Sequence, residues 1–271
     1  MFDVITVCAG ADLKNISLCI KGLKDNLLFD KLYVITNQPN LVPIDDQVVA
    51  INENELISSN VIDRLRTIDL PFFPKRFGWY LQQLLKMEFS RSRFCKKDYL
   101  IWDADTILLQ PISFKKDSRV IFSKGSEKLN YHYIHNFKCL LKHGPIFNSS
   151  MISQHLFVDK NVMIELMETI ENNFNIDFAS AVMHNLEGDS PSLFSEYETY
   201  CNFYANKYPG KYSIIERDWF RNAAAVVGFS PLISTLKSIF PKCDYIALEK
   251  FDCSSMGRFK GILKFLWYKF N

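Results

Sequence analysis

Short apolar runs alternate with amphipathic stretches of helical length through the first hundred residues, and this alternation constrains the fold more than any other feature of the chain. Asp3 to Cys8 is rich in β-branched residues, closes on Ala9-Gly10-Ala11-Asp12 and gives way to an amphipathic stretch from Leu13 to Leu27. Lys31 to Thr36 and Gln47 to Ile51 repeat the strand signal, and Ile57 to Arg66 reads as a helix. Phe77 to Phe89 carries Trp79, Leu81, Leu84, Leu85 and Met87 at helical spacing and leads to a fourth strand, Tyr99 to Trp102. Side chains repeat every second residue along a strand and about every 3.6 residues around a helix, so the two patterns separate. Strands joined by helices pair in parallel, because the crossover brings the chain back to the same end of the sheet. The expected fold is α/β: a mixed, mainly parallel central sheet flanked by helices.

The second half is less regular. Arg119 to Phe122 and Met151 to Phe157 read as strands, and Asn161 to Asn172 and Ser195 to Asn206 as helices. Leu70-Pro-Phe-Phe-Pro74 is expected to be a bounded loop, since its two prolines forbid regular helix. A chain of 271 residues that is 48% hydrophobic can bury one large core, so a single domain is expected. With 23% charged residues and a formal net charge of +2, neither a disordered tail nor a broadly basic nucleic-acid binder is indicated. Seven cysteines stand singly, without a Cys-x-x-Cys pair, which fits reduced thiols and a cytoplasmic setting. The first residues lack a leader pattern and no apolar run is long enough to span a bilayer.

One local charge bias stands out. From Met256 to Asn271 four cations and no acids alternate with large apolar groups. As a helix this segment would set Phe259, Leu263, Leu266 and Phe270 on one stripe with Trp267 alongside, suited either to an anionic membrane surface or to packing on the core.

The chemistry concentrates in Tyr99-Leu-Ile-Trp102-Asp103-Ala104-Asp105-Thr106, where an apolar strand runs into two carboxylates. On an extended chain Asp103 and Asp105 would point the same way, with Ala104 opposite. Beyond the carboxyl end of a central strand, two hard oxygen ligands meet where ligands of open α/β sheets collect, and such a pair suits Mg²⁺ or Mn²⁺. The alternative is a solvated turn in which Asp103 caps a helix.

Arg76-Phe-Gly78-Trp79-Tyr80-Leu-Gln82-Gln83-Leu-Leu-Lys86, Trp102-Asp103-Ala104-Asp105, Ser153-Gln154-His155-Leu-Phe-Val-Asp159-Lys160 and Phe194-Ser195-Glu196-Tyr197-Glu198-Thr-Tyr200 follow one another in order. Together they resemble bacterial GT-A glycosyltransferases of lipopolysaccharide, O-antigen and capsule synthesis, over residues Phe2 to Asn206. The resemblance implies a GT-A catalytic domain over residues 1–255, with a nucleotide-sugar half at 1–111 and an acceptor half at 112–255, and a basic tail at 256–271. It implies a UDP-sugar donor, Mn²⁺ or Mg²⁺ on Asp103 and Asp105, a saccharide or lipid-linked glycan acceptor, and work at the inner face of the cytoplasmic membrane. A hexose, galactose or glucose, is the transferred group expected from how common those donors are. A late histidine often completes the metal shell of such enzymes, and this chain has none after His184.

The remaining site residues are read beside that frame. Cys8, Ala9, Gly10 and Asp12 form a small-residue turn where a nucleotide would cross the sheet edge, with Asp12 as a helix cap the alternative. Arg76 and Lys86 bracket the helix before the metal strand and suit diphosphate oxygens, with Gln82 on the same face as Lys86, unless the cations are simply solvated. Trp79 and Tyr80 read as core packing. Glu196 and Glu198 diverge by about 200° if helical, so only one can face a cleft and serve as a base; the alternative is a capping role for Glu196. His155 suits acceptor hydroxyls, a catalytic base, the diphosphate or a structural position. His132 and His135 are three apart, but no cysteine or third histidine is read as spaced to complete a zinc site. A nucleotidyltransferase would need a basic glycine-rich first turn, which is missing here, and a carbohydrate-binding module would not need the paired aspartates.

Overall fold

Four strands in the order 3-2-1-4 carry the molecule, and the reason lies in their burial. The chain, described by a computed structural model over residues 1–69 and 75–270, begins with β1 (Asp3–Val7), whose five residues are all buried. It continues through α1 (Ala11–Asn26), β2 (Leu32–Thr36), β3 (Val48–Asn52), α2 (Ser59–Leu65), α3 (Phe77–Glu88), β4 (Tyr99–Trp102), β5 (Thr106–Leu108), β6 (Lys115–Lys116) and β7 (Arg119–Ser123). Then come α4 (Tyr131–Leu141), β8 (His155–Val158), α5 (Lys160–Phe174), α6 (Phe178–His184), α7 (Glu196–Lys207), β9 (Tyr212–Ile215) and β10 (Trp219–Phe220). The chain ends with α8 (Ala224–Val227), α9 (Ile233–Ile239), β11 (Tyr245–Ala247) and α10 (Ser255–Phe270). The expected loop from Leu70 to Pro74 lies outside the described residues.

The main sheet runs β3-β2-β1-β4-β8, parallel except for β8, which pairs antiparallel with β4. β1 and β4 are buried on both faces, as central strands of a parallel sheet must be. This is the mixed α/β, Rossmann-like architecture that the strand and helix periodicities predict. Two three-stranded sheets, β10-β11-β5 and β6-β7-β9, extend it. α1 comes so close to β5 that a Cβ on Gly22 would lie 2.9 Å from the Leu108 carbonyl oxygen, and Asn26 donates to that same carbonyl at 3.1 Å.

One expectation changes here. The strand read from Met151 to Phe157 starts only at His155, because Gln154 adopts a left-handed φ of 65° and breaks the extended run. The tail is the helix α10, and it is docked: Gly257 and Gly261 are buried, and Phe265 and Tyr268 pack on Phe220 and Phe240. A Cβ on Gly261 would meet the Ala225 methyl at 2.3 Å, so only glycine lets α10 lie this close to α8. Of the expected apolar stripe, Phe259, Leu263 and Leu266 are exposed, so the helix packs on the core through its other face; the Phe270 side chain lies outside the described residues. Among the described residues no helix is long and apolar enough to cross a membrane.

Candidate active site

Immediately after β4 the chain reverses in a four-residue turn. Thr106 N donates to the Asp103 carbonyl at 3.0 Å, and the buried Trp102 indole donates to the Thr106 carbonyl at 2.8 Å. Outside the turn, Asp103 N donates to Gln154 O at 2.9 Å and Leu248 N donates to Asp105 O at 2.8 Å. Asp103, Ala104 and Asp105 therefore stand on a clamped turn and not on an extended strand. The expected strand alternation is not what aims the two carboxylates at one space; the turn does so.

That space is a cavity of about 470 Å³ at the carboxyl end of β1 and β4. Its wall holds six carboxylates, Asp12, Asp103, Asp105, Glu127, Glu196 and Glu249, against the four cations Arg76, Lys86, Arg221 and Lys250. With every group in its ordinary ionised form the balance would be two negative charges. Burial first, and then the negative charge of Asp103, Glu249 and Asp12, push the Asp105 carboxyl up to about 8. Carboxylates crowded to this degree are an oxygen donor set that fits a hard ion such as Mg²⁺ or Mn²⁺.

Behind the turn lies a closed ionic cluster. Lys86 Nζ, 2% exposed, donates to Asp103 Oδ1 at 2.6 Å and to Glu196 Oε1 at 2.7 Å. Tyr197 OH adds a hydrogen bond to the same Asp103 oxygen at 2.9 Å, and its ring stands under the Lys86 ammonium. Burial alone would lower the Lys86 pKa, but the two carboxylates outweigh it and raise it, so the ammonium stays charged. Asp103 is thereby held in one orientation.

The structure sorts the expected residues. Asp12, Arg76, Gln82, Lys86, Asp103, Ala104, Asp105 and Glu196 line the cavity together. Asp12 sits in the first turn of α1, where Gly10 and not Asp12 occupies the cap position. Lys86 is corrected: its ammonium is consumed by Asp103 and Glu196, leaving no free cation for a diphosphate. Arg76 is largely committed as well, donating to Pro191 O and Ser192 Oγ and stacking 4.2 Å from the Trp79 ring; Trp79 packs against the core as expected and also lines the cavity.

Five expected residues lie elsewhere. Cys8 is turned into the core, and its thiol is pushed up to about 12 by burial and by Asp12; Ala9 and Gly10 are exposed beside the cavity, whose wall Val7 and Asp12 reach instead. Glu198 diverges from Glu196 as the helical spacing requires, and accepts from Ser150 Oγ at 2.8 Å and Met151 N at 3.1 Å. His155 is buried between Trp102, which it stacks on at 5.4 Å, and Phe114 and Tyr245. Burial, followed by the nearby Arg217 charge, pushes its pKa down to about 3, so it is a neutral core residue and no base for an acceptor.

Sequence reasoning missed the far wall. β11 pairs antiparallel with β5, Ala247 opposite Thr106, and so delivers Glu249 and Lys250 to the cavity. Arg221, after β10, is ion-paired to both Glu127 and Glu249. The available signal was the short apolar run Tyr245-Ile-Ala247 directly ahead of a charged pair.

A protein-family model described as a family of unknown function (DUF6492) matches residues 13–234, a span that takes in Asp103, Asp105 and Glu196 but ends before Glu249 and α10. No curated protein matches the chain.

Proposed function

We propose that this chain, which belongs to the DUF6492 family, is a metal-dependent glycosyltransferase of the GT-A type, moving a hexose from a UDP-sugar to a saccharide acceptor in surface-polysaccharide synthesis. One observation carries the reading. Two aspartates stand on a clamped turn beyond a central parallel strand and face a cavity whose wall carries six carboxylates against four cations. Asp103 and Asp105 would hold the ion, with Glu249 the next carboxylate in reach. When bound, the ion neutralises charge developing on the departing diphosphate.

The chain's own residues do the rest. Lys86 and Tyr197 fix Asp103, Lys250 lines the cavity exposed and would meet the diphosphate, and Trp79 with Arg76 offers a flat, charged wall to a saccharide. Of the three side chains read as catalytic from sequence, Glu196 alone reaches the cavity. The test is nucleotide release from a panel of nucleotide sugars with Mn²⁺. Asp105→Asn, isosteric and lacking the charge, is expected to lower turnover at least 100-fold while circular dichroism is unchanged. Wild-type turnover in both Asp103→Ala and Asp105→Asn would sink the proposal.

The location proposed is the inner face of the cytoplasmic membrane. Met256, Phe259, Ile262, Leu263 and Leu266 are exposed on the outer side of α10, interleaved with Arg258, Lys260, Lys264 and Lys269. Apolar side chains flanked by cations suit the boundary of an anionic bilayer.

A further inference from the structure

Away from the cavity, α4 and the segment following α6 bring together three side chains with three different donor atoms. His135 and Cys139 stand one helical turn apart on α4, and Glu187 approaches from the other segment. His135 Nε2 lies 2.9 Å from Glu187 Oε2 and 3.6 Å from Cys139 Sγ, and the donor atoms all fall within 4.8 Å of one another. Tetrahedral zinc with ordinary bond lengths separates a nitrogen and a sulfur ligand by about 3.6 Å, and a nitrogen and an oxygen ligand by about 3.4 Å. The first spacing is present, and the second needs an opening of roughly half an ångström at an exposed carboxylate.

The third ligand is not brought in by chance contact. Asn136, fully buried, donates to Glu187 O at 3.0 Å and accepts from Glu187 N at 2.7 Å, and also donates to Leu193 O at 2.9 Å. Both backbone groups of Glu187 are thus held to the helix that carries the other two ligands. Gly188 follows at φ +133°, and a Cβ there would lie 2.6 Å from His132 Nδ1. Only glycine lets the segment close over α4 at this point, with Asp189 Oδ1 3.6 Å from His132 Nε2.

We propose that His135, Cys139 and Glu187 form a transition-metal site for Zn²⁺. A thiolate sulfur, an imidazole nitrogen and one carboxylate oxygen select a borderline-soft ion, whereas the all-oxygen set at Asp103 and Asp105 selects a hard one. On binding, the Cys139 thiol releases its proton to solvent and the ion replaces the hydrogen bond between His135 and Glu187. Three protein ligands leave the fourth position to water on the exposed side. The ion clamps the segment from Glu187 to Leu193 onto α4; the adjoining Ser192 and Ser195, with Tyr133 of α4, face the catalytic cavity. The expectation that His132 and His135 lack a suitably spaced cysteine is corrected by Cys139, four residues beyond His135.

The test is titration of the reduced, metal-free full chain with Co²⁺, read as the thiolate-to-cobalt charge-transfer band with the visible bands of a tetrahedral ion. One equivalent is expected to give both features, and Zn²⁺ to displace them. Cys139→Ser should abolish the charge-transfer band, and Glu187→Gln should weaken affinity at least tenfold; His135→Asn gives a second loss variant, with circular dichroism reporting the fold of each. Absence of the band from the wild type, or its persistence in Cys139→Ser, overturns the proposal. Asp105→Asn should keep the band, so failure at this site and failure of the glycosyltransferase reading are separate results.

Discussion

At the scale of single residues, the ionic cluster makes the sharpest demands. Lys86 and Glu196 are nearly inaccessible, 2% and 3%, and Asp103 is 20% exposed. Removing one member of such a pair costs more than the pair contributes, because it strands a buried charge. Lys86→Met is therefore expected to destabilise the fold by about 3 kcal/mol in urea unfolding, and Lys86→Met with Glu196→Gln to recover part of that loss. Additive losses would show that Lys86 and Glu196 do not act as a unit. His155 behaves oppositely. Its folded pKa is pushed below the unfolded value, so it contributes stability above about pH 6.5 that is lost as pH falls toward about 3. Its buried Nε2 has no hydrogen-bond partner among the described residues, so Phe should fit there without stranding a polar atom. His155→Phe is expected to flatten the pH dependence of stability over that interval; an unaltered acid limb in thermal melts at stepped pH would contradict it.

At the scale of elements, the first half was legible and the second much less so. β1, α1, β2, β3, α2, α3 and β4 all appear within a residue or two of their periodic runs, because each buries a face and declares it by period. The paired aspartates were legible for the same reason, since a buried strand has to end somewhere and they follow it directly. Short strands such as β10 and β11 carry too few residues to show a period, and the pairing of β11 with β5 spans more than a hundred residues. Glu249 was invisible on that account. Spacing left the orientation of α10 open: it marks two stripes, and the less hydrophobic one docks because Gly261 allows an approach that only glycine permits. Deleting the helix would uncover Phe220 and Phe240, so the membrane reading is better tested on its outer face. Phe259→Glu with Leu263→Glu is expected to remove sedimentation with phosphatidylglycerol vesicles while leaving the melting temperature within a few degrees. Wild-type sedimentation would assign that face to another partner.

At the scale of the molecule, the main sheet, the short β5–β11 ladder and α7 meet around one electrostatic deficit. The parallel strands bring Asp12 and Asp103 to the same edge, the antiparallel ladder adds Glu249, and α7 contributes Glu196 with its counter-ion already supplied by Lys86. Folding must therefore hold carboxylates closer together than they would stand in water, and the ion and nucleotide proposed for this site would offset that repulsion only in the folded state. Ligands that bind only the native form raise stability by mass action, by about 2.7 kcal/mol at a hundred times the dissociation constant. For a domain of this size that corresponds to a rise of roughly 5–10 °C in melting temperature. Mn²⁺ with UDP is expected to give such a rise in the wild type and little or none in Asp105→Asn. The same variant without ligand should melt higher than the wild type near neutral pH, because the wild type has to take up a proton at Asp105 on folding and the amide does not. If Asp105→Asn instead lowers the melting temperature without ligand and keeps the full Mn²⁺-dependent rise, Asp105 is a structural residue and the ion, if bound, is held elsewhere.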